Sequence, residues 1–166
     1  MVKTSVLGLF VDPRGNAPVV LLKEADGDRT LPIWIGENEA QAVALELAGE
    51  KYQFHRPLTH DLVKSVLDKL DAQITRVVVS ELKELGGRMT YYAELFLSSK
   101  GGIIKIDARP SDSIILALKI KLPIYVAEGV MDASTGEASE EDRAQRLRDR
   151  LQRIDPENFG RFSFGG

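Results

Sequence analysis

The stretch IDARPSDSIILALK, residues 106–119, decides the fold because it joins a predicted strand to a predicted buried helix. Pro110 biases the backbone of Arg109 towards an extended shape, so the strand ends before the proline. The helix expected over residues 111–120 is apolar nearly all round, which indicates that it lies inside the protein. The predicted structural unit is therefore a run of strands followed by such a helix.

The same unit occurs earlier in the sequence. The segment EAQAVALE, residues 39–46, aligns with DSIILALK, residues 112–119, and this alignment pairs Glu39 with Asp112. Each helix follows three predicted strands, which cover residues 6–11, 19–22 and 30–35 in the first half and residues 76–82, 91–97 and 102–107 in the second. The order of elements is thus repeated.

A helix predicted over residues 59–70 bridges the two halves, and a strand over residues 123–126 follows the second half. One face of the bridging helix carries the apolar residues Leu62, Val63, Val66, Leu67 and Leu70, which predicts that this face packs on the core. Because the strands come in runs and not singly between helices, we predict an α+β fold. Its internally duplicated β-β-β-α units form mixed or antiparallel sheets covered by helices.

The length of 166 residues and the hydrophobic content of 43% suffice for one core. We place the duplicated domain over residues 1–133, and a C-terminal helix with a Phe- and Gly-rich tail over residues 134–166. The predicted C-terminal helix has only a narrow apolar stripe, formed by Ala144, Leu147, Leu151 and Ile154. The ending DPENFGRFSFGG contains three phenylalanines, which we expect to dock on a neighbouring surface and to favour a homo-oligomer, a dimer or higher.

Composition excludes several classes of protein. The formal net charge of -3 provides no surplus of Lys and Arg for non-specific binding to phosphates. Cysteine is absent, which excludes disulfides, thiolate nucleophiles and zinc–thiolate sites. No apolar run approaches the length of about 18 residues that a membrane span needs, and the N-terminus lacks the pattern of a signal peptide. We therefore expect a cytoplasmic protein with no membrane partner.

The first candidate site consists of Asp107, Arg109, Ser111 and Asp112. Because side chains alternate along a strand, Asp107 and Arg109 are expected on one face, close to Asp112 at the helix start. Carboxylates bind Mg²⁺ or Mn²⁺ and arginine steadies an anionic group, so the cluster is typical of a phosphate- or metal-handling site. The same residues also have structural explanations: Ser111 caps the helix, Asp112 complements the helix dipole, and the charges form an ion-pair lock.

The motif RPLTHD provides the second candidate site with Arg56, Thr59, His60 and Asp61. Thr59 is the predicted N-cap of its helix, and His60 and Asp61 lie in the first turn, where they can act as general base and orienting acid. The alternative is that His60 is simply packed or solvated. His55, in the preceding loop, is the weaker candidate.

Acidic residues also open the first of the two aligned helices, for which Asn38 is the predicted N-cap. Glu37 and Glu39 complement the helix dipole as first-turn acids. If the halves are duplicated, Glu39 and Asp112 are equivalent and can form a shared two-carboxylate site. Trp34, in the segment LPIWIG, is interpreted as a core or interface anchor.

Three segments resemble the bacterial bifunctional nuclease family: LPIWIGENEAQAVALEL, RPLTHDL, and IDARPSDSIILALK followed by LPIYV. They occur in the family's order, and the likeness covers residues 6–131. The resemblance implies a cytosolic protein, often a homo-oligomer, that hydrolyses phosphodiester bonds in both DNA and RNA. Some relatives carry a further C-terminal module linked to DNA repair proteins. This sequence has only a short helix and tail there, so the function of that module is not transferred.

On this resemblance we hypothesise a metal-assisted nuclease in which arginines engage phosphate and a histidine activates water. The catalytic candidates are His60, Asp61, Asp107, Arg109 and Asp112. The substrate-binding candidates are Arg56, Arg109 and Ser111. The candidate ligands for Mg²⁺ or Mn²⁺ are Glu39, Asp107 and Asp112.

Two other functions are compatible with the same residues. In a non-catalytic oligomeric binding or regulatory module, the Arg-Pro-hydroxyl-acid motifs are structural locks, and the acidic charge balance favours this alternative. A small-molecule phosphate-ester hydrolase is the third possibility. Under the first alternative, Arg109→Ala lowers stability and there is no activity to lose.

Overall fold

The computed structural model describes residues 1–49, 56–135, 149 and 151–157, which form an eight-stranded sheet and four helices. The strands are β1 (Val2–Asp12), β2 (Ala17–Glu24), β3 (Thr30–Trp34), β4 (Gln73–Leu85), β5 (Arg88–Ser99), β6 (Gly102–Ala108), β7 (Ile124–Val126) and β8 (Gln152–Ile154). The helices are α1 (Glu37–Ala48), α2 (Thr59–Lys69), α3 (Pro110–Ile120) and α4 (Glu128–Thr135).

The strand order of the sheet shows the predicted duplication. The order is β3-β2-β1-β7-β4-β5-β6, and β8 pairs with β1 off this path. Neighbouring strands are antiparallel within each half, and β7 joins the halves by pairing antiparallel with β1 and parallel with β4. The two β-β-β-α units therefore lie in opposite order on either side of β7, and the α+β fold with a mixed sheet is confirmed.

Helices α1 and α3 pack on each other and on the sheet, and they enclose the main core. Alternate residues of β2 divide between two apolar clusters: Val20 and Leu22 lie in the main core, whereas Val19 and Leu21 pack with Leu151. Because successive side chains of a strand point to opposite faces, both faces of β2 are covered. This explains why β2 is apolar at consecutive positions.

The apolar face of α2 does not pack on the core as predicted. No residue of α2 is buried, and the side chains of Leu62 and Val66 are 56% and 47% exposed. Leu67 alone among the apolar residues of this helix packs partly against the main core. The amphipathic pattern was correct for a helix, but within the described residues nothing covers most of its apolar face.

The predicted N-caps Asn38, Thr59 and Ser111 are wrong, because each of these residues lies inside its helix. The residue before the first helical position is Gly36 in α1, Leu58 in α2 and Arg109 in α3. In α3 the proline itself opens the helix, where its missing N–H costs nothing. Ser111 is consequently buried in the first turn.

The C-terminal segment also differs from the prediction. Leu151 and Ile154 are buried, as core-facing residues should be. Residues 152–154, however, form the strand β8 and not the end of a helix. In this strand Ile154 lies opposite Leu9 of β1. Ala144 and Leu147 of the predicted helix stripe and the three phenylalanines of the tail lie outside the described residues, as does His55. Helix α4, which the sequence analysis missed, crosses the predicted boundary at residue 133. None of the described helices combines the length and apolar character needed to cross a membrane.

Candidate active site

The N-terminal ends of α1, α2 and α3 meet around one cleft of about 570 Å³, which we call the polar cleft. Each of these helices has an acidic residue at its third position: Glu39, Asp61 and Asp112. The charged and imidazole side chains that line the polar cleft are Glu39, His60, Arg109 and Asp112. The structure thus brings together four of the predicted site residues, from both candidate motifs and from the start of α1.

Arg109 is the centre of this group. Its Nε and Nη2 donate to Oδ2 and Oδ1 of Asp112 at 2.8 and 3.1 Å, a bidentate pair, and its Nη1 lies 2.9 Å from Oε1 of Glu39. Glu39 and Asp112 hold the same position in α1 and α3, so one guanidinium joins equivalent carboxylates of the two halves. The equivalence predicted from the sequence is therefore also a spatial one.

His60 contacts the same carboxylate, with Nε2 at 3.0 Å from Oδ1 of Asp112. Desolvation raises the pKa of Asp112, but hydrogen bonds from Arg109 and His60 act in the opposite direction and leave this pKa below its ordinary value. Asp112 is thus an ionised acceptor, and Nε2 must carry the hydrogen in this contact. The neutral tautomer then has Nδ1 unprotonated and able to accept a proton.

Asp61 faces a different partner from the one expected. Its carboxylate accepts hydrogen bonds from the backbone N–H of Leu58 at 2.8 Å and from Nζ of Lys119 at 2.5 Å. The bond from Lys119 is the largest cause that lowers the pKa of Asp61, and burial opposes it. Lys119 also pairs with Glu46 of α1. The carboxylate in hydrogen-bond contact with His60 is consequently Asp112 and not Asp61.

The sequence analysis missed Lys119 and Glu46, which pair with each other and, through Lys119, reach the candidate residue Asp61. Glu46 follows Glu39 by seven residues, and Lys119 follows Asp112 by seven residues. Two helical turns place such pairs on the same helix face. The alignment of residues 39–46 with residues 112–119 also matches Glu46 with Lys119, so the spacing held a signal for this ion pair.

Three other predicted residues are dispersed. Asp107 is exposed on β6 opposite Glu94, and its charge is one of the smaller causes that raise the pKa of Lys83. Arg56 is exposed beside Pro57 of the polar cleft, and within the described part of the chain it has no ion pair. Ser111 is buried and lines a neighbouring cleft.

The predicted metal ligands do not fit a metal site as they are placed. Over the described ranges, no three His, Asp or Glu side chains are grouped closely enough to hold an ion. Glu39 and Asp112 both bind the guanidinium of Arg109, and Asp107, which is exposed on β6, does not line the polar cleft. A requirement for Mg²⁺ or Mn²⁺ stays a prediction for assay.

A second cleft of about 410 Å³, which we call the aromatic cleft, adjoins the polar cleft at Glu39 and Arg109. It brings the end of β3 close to the start of β5, although four strands separate them in the sheet order. Trp34 lines this cleft with 46% of its surface exposed. Of the two predicted roles of Trp34, core or interface anchor, the core role is therefore wrong, and the interface role stays a prediction.

Comparison with known proteins identifies relatives of this chain. A family model for the bifunctional nuclease domain matches residues 20–139. An uncharacterized protein of Mycobacterium tuberculosis strain H37Rv is 39% identical over 170 residues, which cover 96% of this chain and 98% of that protein. Bifunctional nuclease 1 of Arabidopsis thaliana is 34% identical over 113 residues, or 66% of this chain and 33% of the plant protein. Bifunctional nuclease 2 of the same plant is 34% identical over 123 residues, or 68% and 35%.

Proposed function

The chain belongs to the bifunctional nuclease family, and on that premise we propose that it is a nuclease that hydrolyses phosphodiester bonds of DNA and RNA. The observation that carries the proposal is the linked group Glu39–Arg109–Asp112–His60 in the polar cleft. It combines a proton acceptor, an ionised carboxylate that orients this acceptor, and a cation beside them. These are the functional groups that attack of water on a phosphodiester needs.

In this mechanism His60 is the general base. Asp112 holds Nε2–H, so a water molecule in the polar cleft gives its proton to Nδ1 while its oxygen attacks phosphorus. The bond between phosphorus and the leaving oxygen breaks, and that oxygen takes a proton from solvent. Asp112 orients the imidazole and stabilises the positive charge that develops on it, as the acid does in other histidine–carboxylate pairs.

Arginines and helix ends supply the binding site for the phosphate. Arg109 uses three of its five N–H groups for Glu39 and Asp112, so two remain for phosphate oxygens. Arg56 adds an exposed cation beside the polar cleft. The N-termini of three helices point their positive dipole ends towards the same region, which favours an anion there.

Cleavage of end-labelled oligonucleotides tests the proposal. We expect the wild-type protein to cleave single-stranded and double-stranded DNA and RNA. A His60→Gln protein purified in parallel measures the cleavage that is due to contaminating nucleases. Arms with Mg²⁺, Mn²⁺ or EDTA determine whether a metal is required. Equal cleavage by both proteins, or no cleavage by either in any arm, contradicts the proposal.

A non-catalytic binding or regulatory module is the second candidate, and the ion pairs themselves favour it. Arg109 joins α1 to α3, and Lys119 joins α3 to both α1 and α2, so two cations hold the three helices together. In that case Arg109→Ala lowers the melting temperature while no preparation cleaves any substrate. Such a combined result would favour the lock over the nuclease.

We also propose that the chain forms a homo-oligomer through the exposed face of α2 and the edge strand β6. The exposed apolar side chains are Leu58, Leu62, Val63, Val66 and Leu70 around α2, and Ile103, Ile104 and Ile106 on β6. Strand β6 is last in the sheet order, so its outer backbone groups lack a strand partner among the described residues. A second copy suits this edge, because antiparallel pairing of β6 with itself satisfies the same groups on both chains.

Charges on this surface should weaken the oligomer. We expect the Leu62→Asp, Val66→Asp double variant and, separately, Ile103→Asp to shift the wild-type oligomer towards monomer in light scattering coupled to size exclusion. Leu85→Asp, a change at a similarly exposed apolar residue outside this surface, should leave the mass unchanged. A wild-type protein that is monomeric at all concentrations, or an oligomer that resists both changes, contradicts the proposal.

A further inference from the structure

We propose that the aromatic cleft binds a nucleobase next to the cleaved phosphodiester, so that the preferred substrate is an unpaired strand. The inference rests on the proposed nuclease function and adds a substrate class to it. It starts from Trp34, which is the one tryptophan of the chain and is 46% exposed in a cleft adjoining the polar cleft. A large aromatic side chain left open to water beside a charged site is typical of a surface that stacks on ligand bases.

The position of Arg109 connects the two clefts. Its side chain is 65% exposed and lines both, with Asp112 on the side of the polar cleft and Trp34 on the side of the aromatic cleft. A phosphate bound by the free N–H groups of Arg109 therefore lies between His60 and Trp34. Because a nucleotide joins its base to its phosphate through one sugar, a base can enter the aromatic cleft while the phosphate stays at Arg109.

The lining of the aromatic cleft fits a flat, partly polar ring. Trp34, Met89 and Tyr91 provide aromatic and polarisable surface, and burial raises the pKa of Tyr91, which is thus a neutral ring at physiological pH. Thr90 and Ser111 add hydroxyl groups that can bond to base edges. The volume of about 410 Å³ lies in the range of small-ligand pockets, about 300–1,000 Å³.

A paired base is unsuited to this cleft, because its faces are covered by its neighbours and its edge by its partner. Stacking on aromatic side chains is the usual way in which proteins hold unpaired bases without reading their sequence. The cleft is consequently expected to accept all four bases of either DNA or RNA, provided that the strand is single. This agrees with a nuclease that acts on both polymers.

Emission of Trp34 provides a direct binding assay. In the His60→Gln background, in which cleavage is expected to be slow, we expect a single-stranded oligothymidylate to quench the fluorescence. An abasic strand of the same length and charge should leave it unchanged and bind about 5- to 150-fold more weakly. By fluorescence anisotropy of labelled strands, Trp34→Ala should lower oligothymidylate affinity to the abasic level, whereas Trp34→Phe should retain most of it. Tyr92→Ala, an aromatic truncation at a residue that lines neither cleft, is the matched control.

The outcomes separate this inference from the proposed function. Equal affinity for the two strands, or an unchanged affinity after Trp34→Ala, overturns the base site even when the wild-type protein cleaves nucleic acid. Equal rates on single-stranded and double-stranded substrates overturn it as well. Base-dependent binding that responds to Trp34 supports the site even if the cleavage assay fails, in which case the nuclease proposal alone falls.

Discussion

Replacing His60 by glutamine is expected to lower the rate of phosphodiester cleavage by about 10²- to 10⁴-fold, the range that a positioned general base contributes. Glutamine can still donate to Oδ1 of Asp112, which His60 contacts at 3.0 Å. It cannot accept a proton from water at neutral pH, because its amide is a very weak base. The substitution therefore removes proton transfer and keeps the hydrogen bond, so the loss should appear in kcat and not in KM.

His55→Gln makes the same chemical change at the other histidine and is the matched control for this variant. His55 was the weaker candidate in the sequence, and we expect its replacement to retain the wild-type rate. Thermal melts should show that both variants are folded. A His60→Gln protein that is folded and cleaves at the wild-type rate would remove His60 from the mechanism.

The fold was predictable because its signals are local and repeated. Hydrophobic runs and turn residues marked the strands of both halves, and the alignment of two helices revealed the β-β-β-α repeat that the sheet order shows. The start of α3 was misplaced because Pro110 and Ser111 both fit a helix start, and proline took the first helical position. Strand β8 was missed because three residues provide too little pattern to distinguish a strand from the end of a helix.

The site was only partly predictable, since distances between helices cannot be derived from one sequence. The motifs named Glu39, His60, Arg109 and Asp112, which the fold brings into one cleft. Sequence proximity also suggested that His60 pairs with its neighbour Asp61, but adjacent residues of a helix point in different directions. Asp61 consequently reaches Lys119, while His60 reaches Asp112 of another helix. Trp34 was interpreted as a core or interface anchor because its neighbours are apolar, and its exposure on the edge strand β3 rules out only the core.

Replacing Asp112 by asparagine is expected to lower cleavage by about 10²- to 10⁴-fold as well, but for a different reason. The amide of asparagine can donate a hydrogen bond to Nε2 of His60. This bond favours the His60 tautomer that carries its hydrogen on Nδ1, so Nδ1 can no longer accept a proton from the water. It also removes the charge that holds Arg109 by two hydrogen bonds. Both kcat and KM should change, in contrast to His60→Gln. Asp68→Asn, the same change at an exposed acid that pairs with Lys64 of its own helix and lines neither cleft, should retain activity.

The stability of this variant has a distinct pH dependence. The pKa of Asp112 is lower in the folded protein than in the unfolded chain. The charge of Asp112 therefore stabilises the fold fully at pH values above the pKa of an unfolded aspartate, about 4. This contribution to stability disappears as the pH falls through the lower pKa of the folded protein. The free energy of unfolding of Asp112→Asn should therefore lie about 1 kcal/mol below that of wild type at neutral pH, and the gap should close below about pH 4. Urea unfolding at a series of pH values measures this difference in the free energy of unfolding.

A difference that persists in acid would mean that the charge of Asp112 does not stabilise the fold. A closing gap with full activity would make Arg109 and Asp112 a structural lock and not part of the catalytic site.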